Sequence, residues 1–76
     1  MTQRERQLLN WIEENPLISQ QELADKAGIT RSSVAVHISN LMKKGYIRKI
    51  QSPSDRREFH LEVTQKYIDY YNISSN

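Results

Sequence analysis

Residues 19–47, SQQELADKAGITRSSVAVHISNLMKKGYI, hold two short helical patterns separated by a tight break at Gly28-Ile29. Each pattern opens with its own capping chemistry. Ser19 followed by Glu22 is a capping box, in which the hydroxyl accepts from the amide of residue 22 and the carboxylate returns to the amide of residue 19. Ile18 and Leu23 stand at the hydrophobic staple positions around that cap. The second pattern starts at Thr30, a good N-cap, and Ile29 with Val34 repeats the staple. It ends with Lys43 and Lys44 in the last turn and Gly45 just beyond, where a left-handed residue lets Tyr46 fold back on Leu41.

Two capped helices, a Gly-containing turn and a basic second helix are the sequence form of a helix-turn-helix. The spacing predicts helix 2 over 19–27 and a recognition helix over 30–44. On the latter, Val34, Ile38 and Leu41 recur at i, i+4 and i+7 and form the inward stripe. The other side carries Ser32, Ser33, Val36, His37, Asn40 and Lys43. Hydroxyl, imidazole and amide groups exchange hydrogen bonds with base edges, and Val36 suits a thymine methyl. Gln20 and Arg31 sit in the first turns of the two helices, beside free backbone amides that favour phosphate. With Lys43, Lys44 and Arg56 they are the candidate contacts to a nucleic-acid backbone.

The distribution of charge supports a polyanionic partner. The net charge is only +2. Residues 30–57, however, carry Arg31, Lys43, Lys44, Arg48, Lys49, Arg56 and Arg57 against Asp55 alone, a local net of +6. The flanking segments 1–29 and 58–76 are each at −2. A solvated surface that happened to be basic would scatter its cations more evenly.

After Gly45 the periodicity changes. Phe59, Leu61 and Val63 alternate with Glu58, His60 and Glu62, the pattern of a half-buried strand, and 47–50 is its natural partner. Between them lies the turn-rich loop QSPSDRR with two adjacent arginines. A hairpin over 46–63 that follows a helix-turn-helix is a wing, and a narrow minor groove attracts arginine electrostatically. Thr64 is positioned to cap a C-terminal helix over 64–72, with the tail from Ile73 expected to fray.

Upstream, Thr2 and Glu5 form another capping box, Leu8, Leu9 and Ile12 make a helical stripe, and Pro16 ends the helix near Asn15. Arg4 and Arg6 read as ordinary surface charge, and Trp11 as an edge-of-core residue. The fold class is therefore mainly α with a small β-hairpin: a three-helix core, a two-stranded wing and a short C-terminal helix in one domain spanning 1–76. Such a chain is near the lower limit for a self-sufficient core, and without cysteine it has no disulfide or thiolate zinc site to add stability. Self-association would help. Tyr67, Ile68 and Tyr71 make an apolar stripe that either packs on the first helix within one chain or pairs with a second subunit, and the sequence leaves both open; with Leu9 and Trp11 they are offered as dimer contacts. No stretch has the apolar length of a membrane span and the polar N-terminus is unlike a signal peptide, which points to the cytoplasm.

ISQQELADKAGITRSSVAVHISNLMKKGYI, residues 18–47, resembles the winged helix-turn-helix domains of bacterial transcription regulators. It is also similar to the DNA-binding segment joined to the front of some carbohydrate kinases. The following SPSDRREFHLEVTQKY, residues 52–67, looks like the wing of MarR-type regulators, where an Asp-x-Arg pair is typical. The resemblance implies that Asp55 braces the wing, Arg57 enters the minor groove and Arg56 lies near phosphate. MarR-type proteins are longer and dimerise through long helices flanking the winged core. Little of this chain remains beyond Tyr71, so a small winged-helix regulator is expected rather than a full MarR protein, with a fragment of something longer as the alternative.

The function expected from these readings is sequence-specific binding of double-stranded DNA by a repressor-like homodimer. The alternative classes are a winged-helix adaptor for another protein, and a single-stranded nucleic-acid-binding module in a replication or mobile-element assembly. In the adaptor, Trp11 and the tyrosines would be the working face. In the single-strand module, aromatics should interleave with the basic stretch, and here they lie mainly outside it. An enzyme is the poorest fit: His37 and His60 lie on different elements with no acid pair or glycine-rich phosphate loop. No metal and no cofactor are assigned.

Overall fold

The computed structural model describes residues 2–54 and 59–74 of the 76-residue chain. Helices α1 (Gln3–Glu14), α2 (Gln20–Ala27) and α3 (Arg31–Lys43) are followed by strands β1 (Ile47–Gln51) and β2 (Phe59–Val63) and by α4 (Gln65–Ser74). Capping residues set the three helix starts. The side-chain oxygens of Thr2, Ser19 and Thr30 accept from the backbone amides of Glu5, Glu22 and Ser33 at 3.0–3.1 Å. Two glycines set the stops. Gly28 and Gly45 have φ of +68° and +80°, the left-handed region that L side chains avoid. Past α3, Tyr46 N–H donates to Leu41 O and Gly45 N–H to Met42 O, each at 3.0 Å, the paired bonds of a Schellman stop.

One apolar cluster joins every element. Leu8, Leu9 and Ile12 of α1 meet Leu23 and Ala24 of α2, Val34, Ile38 and Leu41 of α3, and Ile18, Ile47, Leu61 and Tyr67. The inward stripe of α3 is thus the one its spacing predicts. Burial of each such side chain stabilises the fold by about 1.5–3 kcal/mol.

The strands pair antiparallel with Ile47 opposite Val63, Lys49 opposite Leu61 and Gln51 opposite Phe59. That register puts Ile47, Lys49, Leu61 and Phe59 on one face. Only the end nearest the helices is covered: Leu61 is buried, whereas Phe59, expected on the inner face, is 42 % exposed. The Lys49 ammonium lies 4.0 Å from the Phe59 ring centroid and covers it instead. The hairpin outruns the small core, so its alternation does not predict burial at the far end.

Three local expectations are corrected. Glu5 does not complete a capping box; its carboxylate is 5 % exposed as a residue and accepts from Lys44 Nζ at 2.9 Å, across the core edge from α1 to the end of α3. Thr64 does not cap α4 with its hydroxyl, which donates to Gly45 O at 2.6 Å. α4 runs to Ser74, two residues past the end expected at 72. In the first two cases a long-range partner outcompetes the local one, because a charge or a carbonyl at the core edge has less water available to it.

Candidate nucleic-acid interface

α3 is 13 residues long, about 20 Å at 1.5 Å per residue, and its two faces differ sharply. Val34, Ile38 and Leu41 are buried, while Ser32, Val36 and Lys43 are exposed on the opposite side. Ser39 completes that line at i, i+4, i+7 and i+11 from Ser32, and it is exposed too. Sequence reasoning passed it over, although the same spacing rule that picks Ser32 and Val36 would have found it. Val36, at 59 % exposure, is an apolar group held in water on a helix whose core needs are met elsewhere.

Ser33, His37 and Asn40 form a half-buried flank beside this line. The Ser33 hydroxyl accepts from the Thr30 hydroxyl at 3.0 Å, so it is partly drawn into the cap. Nδ1 of His37 is buried without a hydrogen-bond partner. The remaining ring nitrogen, Nε2, is therefore the one through which this side chain can recognise a ligand.

The cations sort into engaged and free. Lys44 is held by Glu5, and Arg48 by Glu62 across the hairpin at 2.9 Å. Arg4 donates to Ala27 O at 2.7 Å and serves the C-terminus of α2 rather than a phosphate. Lys26 lies 5.9 Å from the Trp11 ring centroid. Arg31 and Lys43, at opposite ends of α3, have no intramolecular partner among the described residues. Lys44, counted from sequence with the backbone-contacting group, is thus already paired with Glu5, although its side chain is 42 % exposed. Gln20 and Arg31 line the same open groove, about 510 Å³, between the start of α2 and strand β2. This places the amide-rich first turn of α2 beside the guanidinium of α3, a combination suited to an anion. The three wing residues Asp55, Arg56 and Arg57 lie outside the described residues.

Of the residues offered as dimer contacts, Leu9 and Tyr67 are withdrawn by the structure. They are 0 % and 1 % exposed, and they fill the protein's own core. The C-terminal stripe could by sequence pack on the first helix or pair with a second subunit; for Tyr67 the structure takes the first course, and Tyr67 Oη donates to Asn10 Oδ1 on α1 at 3.3 Å. Burial pushes the Tyr67 phenol above its ordinary value of 10.0, with Arg6 opposing and Glu13 reinforcing the shift. Trp11 is half-buried against the core, while Ile68 and Tyr71 stay exposed on α4.

Among the described residues no helix is long and apolar enough to cross a membrane, and no three His, Asp or Glu side chains gather into a group that could hold a metal.

Comparison with known proteins agrees with this architecture. The model of the MarR family matches residues 1–59. A putative transcriptional regulatory protein for the hcr operon of Thauera aromatica is 39 % identical over 57 residues, covering 75 % of this chain and 34 % of that protein. An uncharacterized sugar kinase of Escherichia coli, YeiI, is 50 % identical over 48 residues, 63 % of this chain but 13 % of the kinase. Among solved structures, Streptococcus pneumoniae FabT in complex with DNA superimposes with a TM-score of 0.82 at 25 % identity, over 99 % of this chain and 52 % of FabT. The MarR crystal structure gives 0.78 at 29 % identity, over 96 % of this chain and 53 % of MarR. The chain spans about half the length of these structures and a third or less of these curated relatives. Its four helices and hairpin are those of a transcription-regulator fold rather than an enzyme's, and the chain belongs to the MarR family.

Proposed function

We propose that this chain binds double-stranded DNA in a sequence-specific manner, as the reading module of a repressor-like transcription regulator that works in the cytoplasm on the nucleoid. The observation that carries the proposal is the outward line of α3. Ser32, Val36 and Ser39 are exposed without a packing role, and the free cations Arg31 and Lys43 stand at either end. The two cations are twelve positions apart, about 18 Å along the axis, enough to reach phosphates on both sides of a major groove roughly 12 Å wide. Ser32, Ser33, Val36, Ser39, His37 and Asn40 then meet base edges, and Gln20 with Arg31 meets the backbone. The resemblance of the wing sequence to MarR-type regulators assigns Arg57 to the minor groove and Arg56 to the backbone.

One such module buries limited surface, so a tight and selective site calls for two copies. Ile68, Tyr71 and Trp11 are the remaining residues for that contact, and a dimer is supported by the family the chain belongs to. FabT, whose structure with DNA shares this fold, supports duplex DNA as the ligand.

The test is selection of binding sites from random duplex DNA, repeated at two salt concentrations on protein of measured oligomeric state. A palindromic motif, with affinity falling steeply as salt rises, is expected. Feeble binding with no enriched motif would replace this reading with that of a protein adaptor working through Trp11 and the exposed α4 residues.

A further inference from the structure

The backbone just past α3 is held in an unusual way. Three consecutive carbonyls, those of Lys44, Gly45 and Tyr46, all accept hydrogen bonds from residues 64 and 66. Lys66 Nζ donates to Lys44 O at 2.7 Å, Thr64 Oγ1 to Gly45 O at 2.6 Å, and Thr64 N–H to Tyr46 O at 2.9 Å. The Lys66 stem also lies over Gly45, where a Cβ would come within 3.4 Å of its Cδ. Its ammonium stands 5.6 Å from the Tyr46 ring centroid, and that ring packs edge-on against Tyr67 at 6.0 Å. None of these bonds is needed to end α3, because the Schellman pair already does so.

We infer that Thr64 and Lys66 are positioning residues for base recognition: they set the angle at which α3 meets DNA. The inference rests on the reading of α3 given under Proposed function. Its physical basis is the steepness of hydrogen bonding with distance. A contact made at about 2.9 Å is no longer a hydrogen bond at 3.6 Å, so a small tilt of α3 about its far end removes base contacts. Phosphate contacts made by the long, flexible Arg31 and Lys43 side chains follow such a tilt without loss. The lash therefore bears on selectivity and leaves non-specific affinity alone. Neither residue faces the DNA in this account; both act through the carbonyls they hold.

The test uses the full chain and the duplex motif selected above, with a scrambled duplex of equal length. Thr64→Val removes the hydroxyl at nearly constant shape, Thr64→Ser restores it, and Lys66→Met removes the ammonium while keeping the stem. For Thr64→Val and Lys66→Met the ratio of selected to scrambled affinity should fall about tenfold, the size of one lost base contact. Affinity for the scrambled duplex and the salt slope should stay within about twofold of the parent, and Thr64→Ser should keep the parental ratio. A parental ratio in both loss variants, or an equal loss on both duplexes, overturns the inference while leaving DNA binding intact. Should Thr64→Val fail to fold, the ratio measured on Lys66→Met decides the matter. A parent protein that does not distinguish the two duplexes overturns the proposed function and this inference with it.

Discussion

The two ends of α3 are built on different principles. At the N-terminal end, Thr30 caps the helix locally, Arg31 is free, and Ser32 and Val36 face water. At the C-terminal end, Lys44 is tied to Glu5 on α1, and the next three carbonyls are tied to the start of α4. One end is left available and the other is anchored from both sides. Basic charge in a sequence is thus not one thing: Lys43 and Lys44 are neighbours of the same type, yet Lys43 has no intramolecular partner among the described residues and Lys44 is paired with Glu5.

The largest test of this contrast compares Leu41→Ala with Val36→Ala. Leu41 is fully buried at the anchored end, and its truncation should cost about 2–5 kcal/mol by denaturant unfolding. Val36→Ala should change stability by no more than about 0.5 kcal/mol while altering the preferred base sequence. Equal losses of stability would mean that the outward face of α3 is packed against something.

Next in size is the Glu5–Lys44 pair. Its carboxylate is buried, with a side-chain exposure of 6 %, whereas the ammonium side chain is 42 % exposed. Removing Lys44 strands a buried charge, but removing Glu5 leaves a cation that water can reach. Lys44→Met should therefore destabilise by about 1–3 kcal/mol, and Glu5→Gln by clearly less, since solvent screens the exposed partner. Lys44→Met should also leave the salt slope of DNA binding unchanged, where Lys43→Ala lowers it by about 0.9. A fall in slope for Lys44→Met would return that residue to the phosphate-contacting group.

At the open end, Thr30→Ala should cost about 1 kcal/mol through the lost cap, read as a lower unfolding midpoint. Thr30→Ser should be close to neutral.

The smallest effect concerns the α1–α4 contact through Tyr67. Its phenol is pushed up in the folded state, so the stability it contributes is present below pH 10 and is lost as pH rises through the folded value. Unfolding at alkaline pH should be less steep in Tyr67→Phe than in the parent, with neutral-pH stability little changed. Identical alkaline profiles would show that Tyr67 does not titrate on unfolding.

The sequence by itself determined the elements and the helix-turn-helix. Caps, glycines at left-handed positions and the i, i+4, i+7 stripe of Val34, Ile38 and Leu41 act within a few residues, so their consequences can be read without knowing the fold. The free face of α3 was legible for the same reason, and Ser39, which the reading missed, obeys the same spacing. Only the tertiary structure decided which polar groups are occupied. Glu5 reaches Lys44 across 39 positions and Thr64 reaches Gly45 across 19, and no local rule predicts either choice. It also decided that Tyr67 and Leu9 are interior while Phe59 is not. Burial depends on which surfaces happen to meet, and a core this small covers one end of the hairpin and the near side of α4, leaving their other ends in water.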